Sequence, residues 1–325
     1  MHVQRPESAG HAVHGVLLVL AAATCFATMD STIRGLGSTG VPVLLIVTLR
    51  YSFQAIAMAL WLGRRGASGF ATVHPRFQLL RGLLLLFTSL CSFFGVQYMP
   101  VPEFTAINML TPVLVTLLAG LLLHERVSRL RWALVLGGFC GAVIVIRPGS
   151  GLFGWAVLFP LAGAVSYASF QVVTSRLAGQ EDPLTTHFYT GAVGMAALLP
   201  ALAVYLLAPG GSAHLAPLAR EGALAWAAMG LIGLLGTVGH LLLIFAFGKA
   251  PTATLMPFAY LQIAVAAAIA WAVFRHLPDG WAWVGMAVIA ACGASTAALN
   301  LRTANRVNVP SGRESAFDSL DIAQR

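Results

Sequence analysis

The chain has 325 residues, of which 9% are charged and 58% hydrophobic; its mean hydropathy is +0.83 and its formal charge +8. A soluble domain carries about 25% charge, so this composition excludes a protein bathed in water and points to one embedded in lipid. The basic excess lies mostly in short loops beside apolar runs, where a membrane protein keeps it, and lacks the interleaved aromatics of a nucleic-acid surface, so no nucleic-acid partner is expected.

A transmembrane helix needs about 20 predominantly apolar residues. Ten runs meet that need, at 14–35, 42–63, 78–99, 102–123, 130–147, 153–176, 184–207, 223–247, 252–274 and 280–301. The expected fold class is therefore an all-α integral membrane protein of ten transmembrane helices. The first run continues apolar to Met29 and has a counterpart later in the chain, so it reads as a span and not as a signal peptide. Residues 302–325 turn polar and read as a cytoplasmic tail. Cys25, Cys91, Cys140 and Cys292 fall inside apolar runs without metal-ligand spacing, which predicts packing roles and no bound metal.

The runs repeat. Sliding the chain by 151 residues puts Pro100 on Pro251, Leu110 on Leu261 and Trp132 on Trp283; a slide of 141 puts Phe26 on Tyr167 and Ala27 on Ala168. The division expected is a first five-span repeat over 14–147 and a second over 153–301. Five is odd, so the second copy runs in the opposite sense, an inverted repeat of the kind secondary transporters use. With the N-terminus in the cytoplasm, Arg64, Arg65, Arg76, Arg81, Arg126, Arg129 and Arg131 all lie on the cytoplasmic side, as the positive-inside rule favours. Both termini are then cytoplasmic. The near absence of lysine points to a bacterial chain and hence to the inner membrane.

Several stretches resemble one family. The end of span four, Leu123-His124-Glu125-Arg126-Val127-Ser128, is similar to the apolar-run, Glu, Ser/Thr elbow of the drug/metabolite transporter superfamily in its EamA-repeat branch. Arg81-Gly82-Leu83-Leu84 and the pattern from Ala106 to Pro112 add to the likeness. The second half departs, with His276 where the first repeat has Glu125 and Ile263 where it has Pro112. Met29-Asp30 before a basic residue, Arg50 in span two, and Ala253-Thr254 leading to Tyr260-Leu261 look most like bacterial S-adenosylmethionine-uptake and riboflavin-uptake carriers. The resemblance implies solute transport by alternating access; composition and periodicity alone imply only a repeated ten-span bundle.

An ionisable side chain inside a span costs about 2.5–3.5 kcal/mol and is a functional candidate by default. Two lie well inside, Asp30 and Arg50, at depths of roughly 8 and 12 Å below the same face. They are expected either to meet as a structural pair or to contact solute or proton. Arg34, one turn beyond Asp30, stands in the favourable order for a helix pair with it. In span four, Asn108 precedes Pro112, which removes a backbone donor and frees a carbonyl. Span nine offers Tyr260 and Gln262, and span six Tyr167 with Gln171 one turn on, so the two tyrosines present surfaces on which a flat ring stacks. His240 in span eight is either a packing residue or a proton relay. Glu103 is placed at the outer mouth of span four.

No catalytic carboxylate pair, nucleophile elbow or phosphate-cradling loop is present in the sequence, so neither an enzyme nor a cofactor is expected. The expected partners are a small-molecule solute and the lipid bilayer, with spans five and ten as scaffold or as the contact of a homodimer. The function expected is uptake or exchange of a vitamin- or nucleoside-like metabolite. The rival readings are an exporter of amino acids or metabolites and a non-transporting sensor or assembly module.

Overall fold

The computed structural model describes residues 9–122, 129–147, 153–177, 180–249, 255 and 258–307. Among these, helices follow one another without a β-strand: α1 (Ala9–Ser38), α2 (Val43–Gly63), α3 (Pro75–Tyr98), α4 (Val101–Asn108), α5 (Thr111–Leu122), α6 (Arg129–Ile146), α7 (Leu158–Leu177), α8 (Pro183–Leu207), α9 (Ala216–Glu221), α10 (Ala223–Phe247), α11 (Leu261–Phe274) and α12 (Gly280–Val307). In lipid every backbone N–H and C=O must find its partner within the segment, which is why apolar runs of this length become helices. By length and composition α1, α2, α3, α7 with its 3-10 lead-in, α8 and α10 suffice to cross a membrane, and four further apolar helical segments are shorter. The Glu125 elbow and Ala253-Thr254 lie outside the described residues.

The run expected as one span at 102–123 is two helices. Pro112 has no N–H to give the Asn108 carbonyl, and the Thr111 hydroxyl bonds that carbonyl instead at 2.7 Å. Met109 and Leu110 form the break between α4 and α5.

Each early helix packs on a late one: α1 on α10, α2 on α8, α3 on α7, α4 on α11 and α6 on α12. Small residues set how close they come. A Cβ at Gly141 of α6 would lie 2.9 Å from Ile289 and 3.0 Å from the Gly285 carbonyl of α12. Gly141 of α6 is thus covered by α12 from within the chain. On α10, Gly233 receives Phe53, Gly236 receives Arg50 and Met29, and Gly239 receives Phe26.

Polar ties fasten both ends of the bundle. At one end Glu181 Oε1 accepts from Thr72 Oγ1 and from the Val73 and His74 amides at 2.8–2.9 Å. Asp182 caps α8 through the Leu184 and Thr185 amides. At the other end Arg34 Nη1 donates to the carbonyls of Val96 (2.7 Å) and Met99 (2.5 Å), and Gln97 donates to the Ile33 carbonyl at 3.2 Å. There Arg275, at φ 55°, ends α11 in the left-handed region and turns His276 towards α4. The His276 Nε2–Glu103 Oε1 distance is 3.0 Å.

Candidate functional site

A cavity that with its mouth encloses about 440 Å³ lies at mid-height, between the α1 wall, the α4–α5 break, α7, α10 and the start of α11. Most of the lining is apolar, from Val19 and Phe26 to Leu243, and the polar groups are Thr111, Tyr167, Gln171 and Gln262. None of these is charged. Tyr167 is held by stacking on Phe170, with ring centroids 5.6 Å apart at 10°. Gln171 keeps a buried Oε1 without a hydrogen-bond partner. A cavity lined this way provides ring surfaces and amide donors and acceptors in a dry setting.

Tyr260, expected to share that lining, belongs to the wall behind it. Its ring lies against Gly293, and its hydroxyl faces the Met109 carbonyl at 3.4 Å. The carbonyls at the break are therefore satisfied from within the protein. Asn108 points at Gly163 of α7 and also keeps a buried, unpartnered Oδ1.

Behind Phe26 lies a second polar group, built by α1, α2, α3, α8 and α10. Phe26 meets His240 edge-on at 4.8 Å. His240 Nδ1 is 2.8 Å from the Gly236 carbonyl, which only accepts, so this nitrogen carries a proton. Arg50 is 1% exposed, its Nη1 is 3.4 Å from Ser89 Oγ and its Nη2 is 3.5 Å from His240 Nδ1. Its Nε has no partner, and its guanidinium stands 4.4 Å above the Tyr51 ring. Asp30, 5% exposed, faces the same region from α1. Among the described residues its carboxylate has neither a hydrogen bond nor an ion pair, and Arg50 acts on it only across a gap.

Three expectations are corrected by this geometry. Asp30 and Arg34 do not pair, because Arg34 is drawn to the open carbonyls at the C-terminal end of α3. Asp30 and Arg50 do not form a contact pair either, because Arg50 is drawn against the Tyr51 ring and Gly236. Nor are these two the whole set of buried ionisable residues. Arg81 is 1% exposed and bonds Thr174, Thr190 and the Thr186 carbonyl. Glu103, at the start of α4, is 4% exposed against His276. His187 is buried too, held by Gln54 through its ring nitrogen and its carbonyl. The sequence held a signal for Arg81: it lies almost two turns after Pro75 starts α3, followed by Gly82, which Val193 overlies.

An all-helical bundle whose helices are long and apolar enough to cross a bilayer defines the class as a membrane protein. The chain belongs to the EamA-like transporter family, whose model matches residues 13–147 and 154–295. Among similar proteins, an S-adenosylmethionine uptake transporter of Rickettsia felis is 26% identical over 72% of this chain and 76% of its own. A riboflavin transporter of Rhizobium johnstonii is 29% identical over 75% and 81%. A pseudopaline exporter of Pseudomonas aeruginosa is 23% identical over 86% and 94%. A crystal structure at 20% identity covers 89% of this chain and 98% of its own with a TM-score of 0.60, which is a likeness of fold.

Proposed function

We propose that this protein is a secondary carrier that moves a small polar organic metabolite across the bacterial inner membrane by alternating access, with vitamin- or nucleoside-like solutes preferred. One observation carries the reading: a mid-height cavity with a neutral, ring- and amide-bearing lining, bounded at the Arg34–Glu103 end by hydrogen bonds between helices. Ten crossings in two inverted halves, 14–147 and 153–301, are supported by the partner exchange between helices. The first span packs on the eighth and the third on the sixth, while the second, fourth and fifth each pack on their own counterparts. That is the pattern a two-fold axis between the halves produces, and with five crossings in each half such an axis lies in the membrane plane. With both termini in the cytoplasm, the Arg34–Glu103 end is the outer one.

Uptake and flat-ring solutes are favoured by the names of two relatives, and export by the third. The test is counterflow into liposomes holding the purified protein, with S-adenosylmethionine and riboflavin as first solutes. Accumulation of labelled solute driven by unlabelled solute inside supports the carrier. Absence of counterflow with a broad metabolite panel overturns it in favour of a non-transporting module. A reporter fused after Arg306 and active only outside the cytoplasm would reverse the orientation.

A further inference from the structure

The carrier reading leaves one arrangement unexplained, an acid and a base that are buried together, both short of partners, and not paired with each other. A guanidinium presents five N–H donors. Around Arg50 the acceptors are nearly absent. Ser89 Oγ is distant at 3.4 Å and is also 2.9 Å from the Tyr51 hydroxyl. His240 Nδ1 has its proton directed at the Gly236 carbonyl and so cannot accept. The Tyr51 ring face compensates part of the charge, but Nε is left with nothing. Asp30 is in the mirror position, a buried carboxylate without a donor. An isolated buried charge of either sign is far more costly than a paired one.

Resting on the carrier reading, we infer that Asp30 and Arg50 are the two halves of a binding site for an ammonium–carboxylate head on the solute, the carboxylate on Arg50 and the ammonium on Asp30. The charges decide the class. A solute bearing only an anion would satisfy Arg50 and leave Asp30 bare, and a cation would do the reverse. A zwitterion satisfies both and adds no net charge to the bundle. Placement fits as well. Asp30 lies one helical turn, about 6 Å, beyond Phe26 of the cavity wall, and Gly236 brings Arg50 Nε and the neighbouring Met29 Sδ onto one spot of α10. A planar body in the neutral cavity, between Phe26 and Tyr167, thus carries its charged head past Phe26.

The test compares two nucleoside thioethers that differ in the arm on sulfur: S-adenosylhomocysteine, whose short alkyl arm ends in the ammonium–carboxylate head, and 5′-methylthioadenosine, whose methyl group lacks it. Binding to the detergent-purified full chain is measured by calorimetry for the wild type, Asp30→Asn and Arg50→Gln. The expected result is tighter binding of the head-bearing compound. Each variant then weakens it about tenfold or more and leaves the headless compound as it was, which also certifies that the variants are folded. Equal affinities in the wild type, a variant effect shared by both compounds, or no binding of either overturns the inference. Counterflow separates the two readings. Head-dependent binding without counterflow removes the carrier and leaves the site, whereas counterflow indifferent to both substitutions removes the site and leaves the carrier.

Discussion

Arg81 and Arg50 are both 1% exposed and both sit over an aromatic ring, Arg81 over Phe170 at 4.6 Å and Arg50 over Tyr51 at 4.4 Å. There the likeness ends. Arg81 donates to Thr174 Oγ1 at 2.7 Å, Thr190 Oγ1 at 2.6 Å and the Thr186 carbonyl at 2.9 Å, tying α3 to α7 and α8. Arg50 has one long contact to a hydroxyl and no firm acceptor. The two buried acids divide less sharply, for Glu103 has His276 on Oε1 but a buried Oε2 without a partner, while Asp30 has no contact on either oxygen. A buried charge whose partners are all in place is doing structural work. One that the fold leaves wanting is poised for a partner from outside.

Substituting the arginines is the strongest way to break this contrast. Arg81→Met removes three charge-assisted bonds and is expected to destabilise the detergent-purified protein by about 2–4 kcal/mol, read as a lowered melting temperature. A loss below about 1 kcal/mol would class Arg81 with Arg50. Arg50→Met, replacing an under-partnered cation by an apolar chain, should leave melting without solute within about 1 kcal/mol of the wild type or raise it. Solute-induced stabilisation should be lost in the same variant.

The neutral cavity sharpens the contrast from its other side. Gln171→Leu and Gln262→Leu are each expected to weaken binding of a transported solute about 5- to 30-fold through lost hydrogen bonds, with melting unchanged. An unchanged affinity in both would move the solute out of the cavity.

The exposed pair at the α12 start supplies the smallest effect. The Ala282 amide, and after it the Arg147 guanidinium, hold the Asp279 carboxyl below the usual carboxylate range. A depressed folded-state pKa contributes stability that is present above the unfolded value, about 3.9, and is lost as pH falls through the folded one. Asp279→Asn should therefore change melting by no more than about 1 kcal/mol at pH 7. The difference from the wild type should vanish as pH is lowered below about 4. A difference that grows on acidification contradicts this.

The cavity and the polar group behind it were legible to different degrees. Tyr167, Gln171 and Gln262 were readable as interior positions because an amide or phenol facing lipid is costly, and all three line the cavity. Asp30 and Arg50 were readable by the same logic, whereas their failure to touch was not: a depth along a helix says nothing about the direction in which a side chain is drawn. Glu103 was invisible as a buried acid because its partner, His276, is 173 residues away and reaches it only through the left-handed turn at Arg275. Tyr260 was misplaced because its docking depends on Gly293, on a helix that the α11 register brings alongside.

The sequence by itself determined the solvent, the helical class and the family. Long apolar runs with few charges have one stable answer in lipid, and the elbow and repeat motifs are local in the chain. Only the tertiary structure decided which buried charges are complete. Completeness depends on acceptors brought from other helices, from Thr174, Thr186 and Thr190 for Arg81 and from almost nowhere for Arg50. Helix packing, set by where glycines let neighbours approach, is what distributes those acceptors.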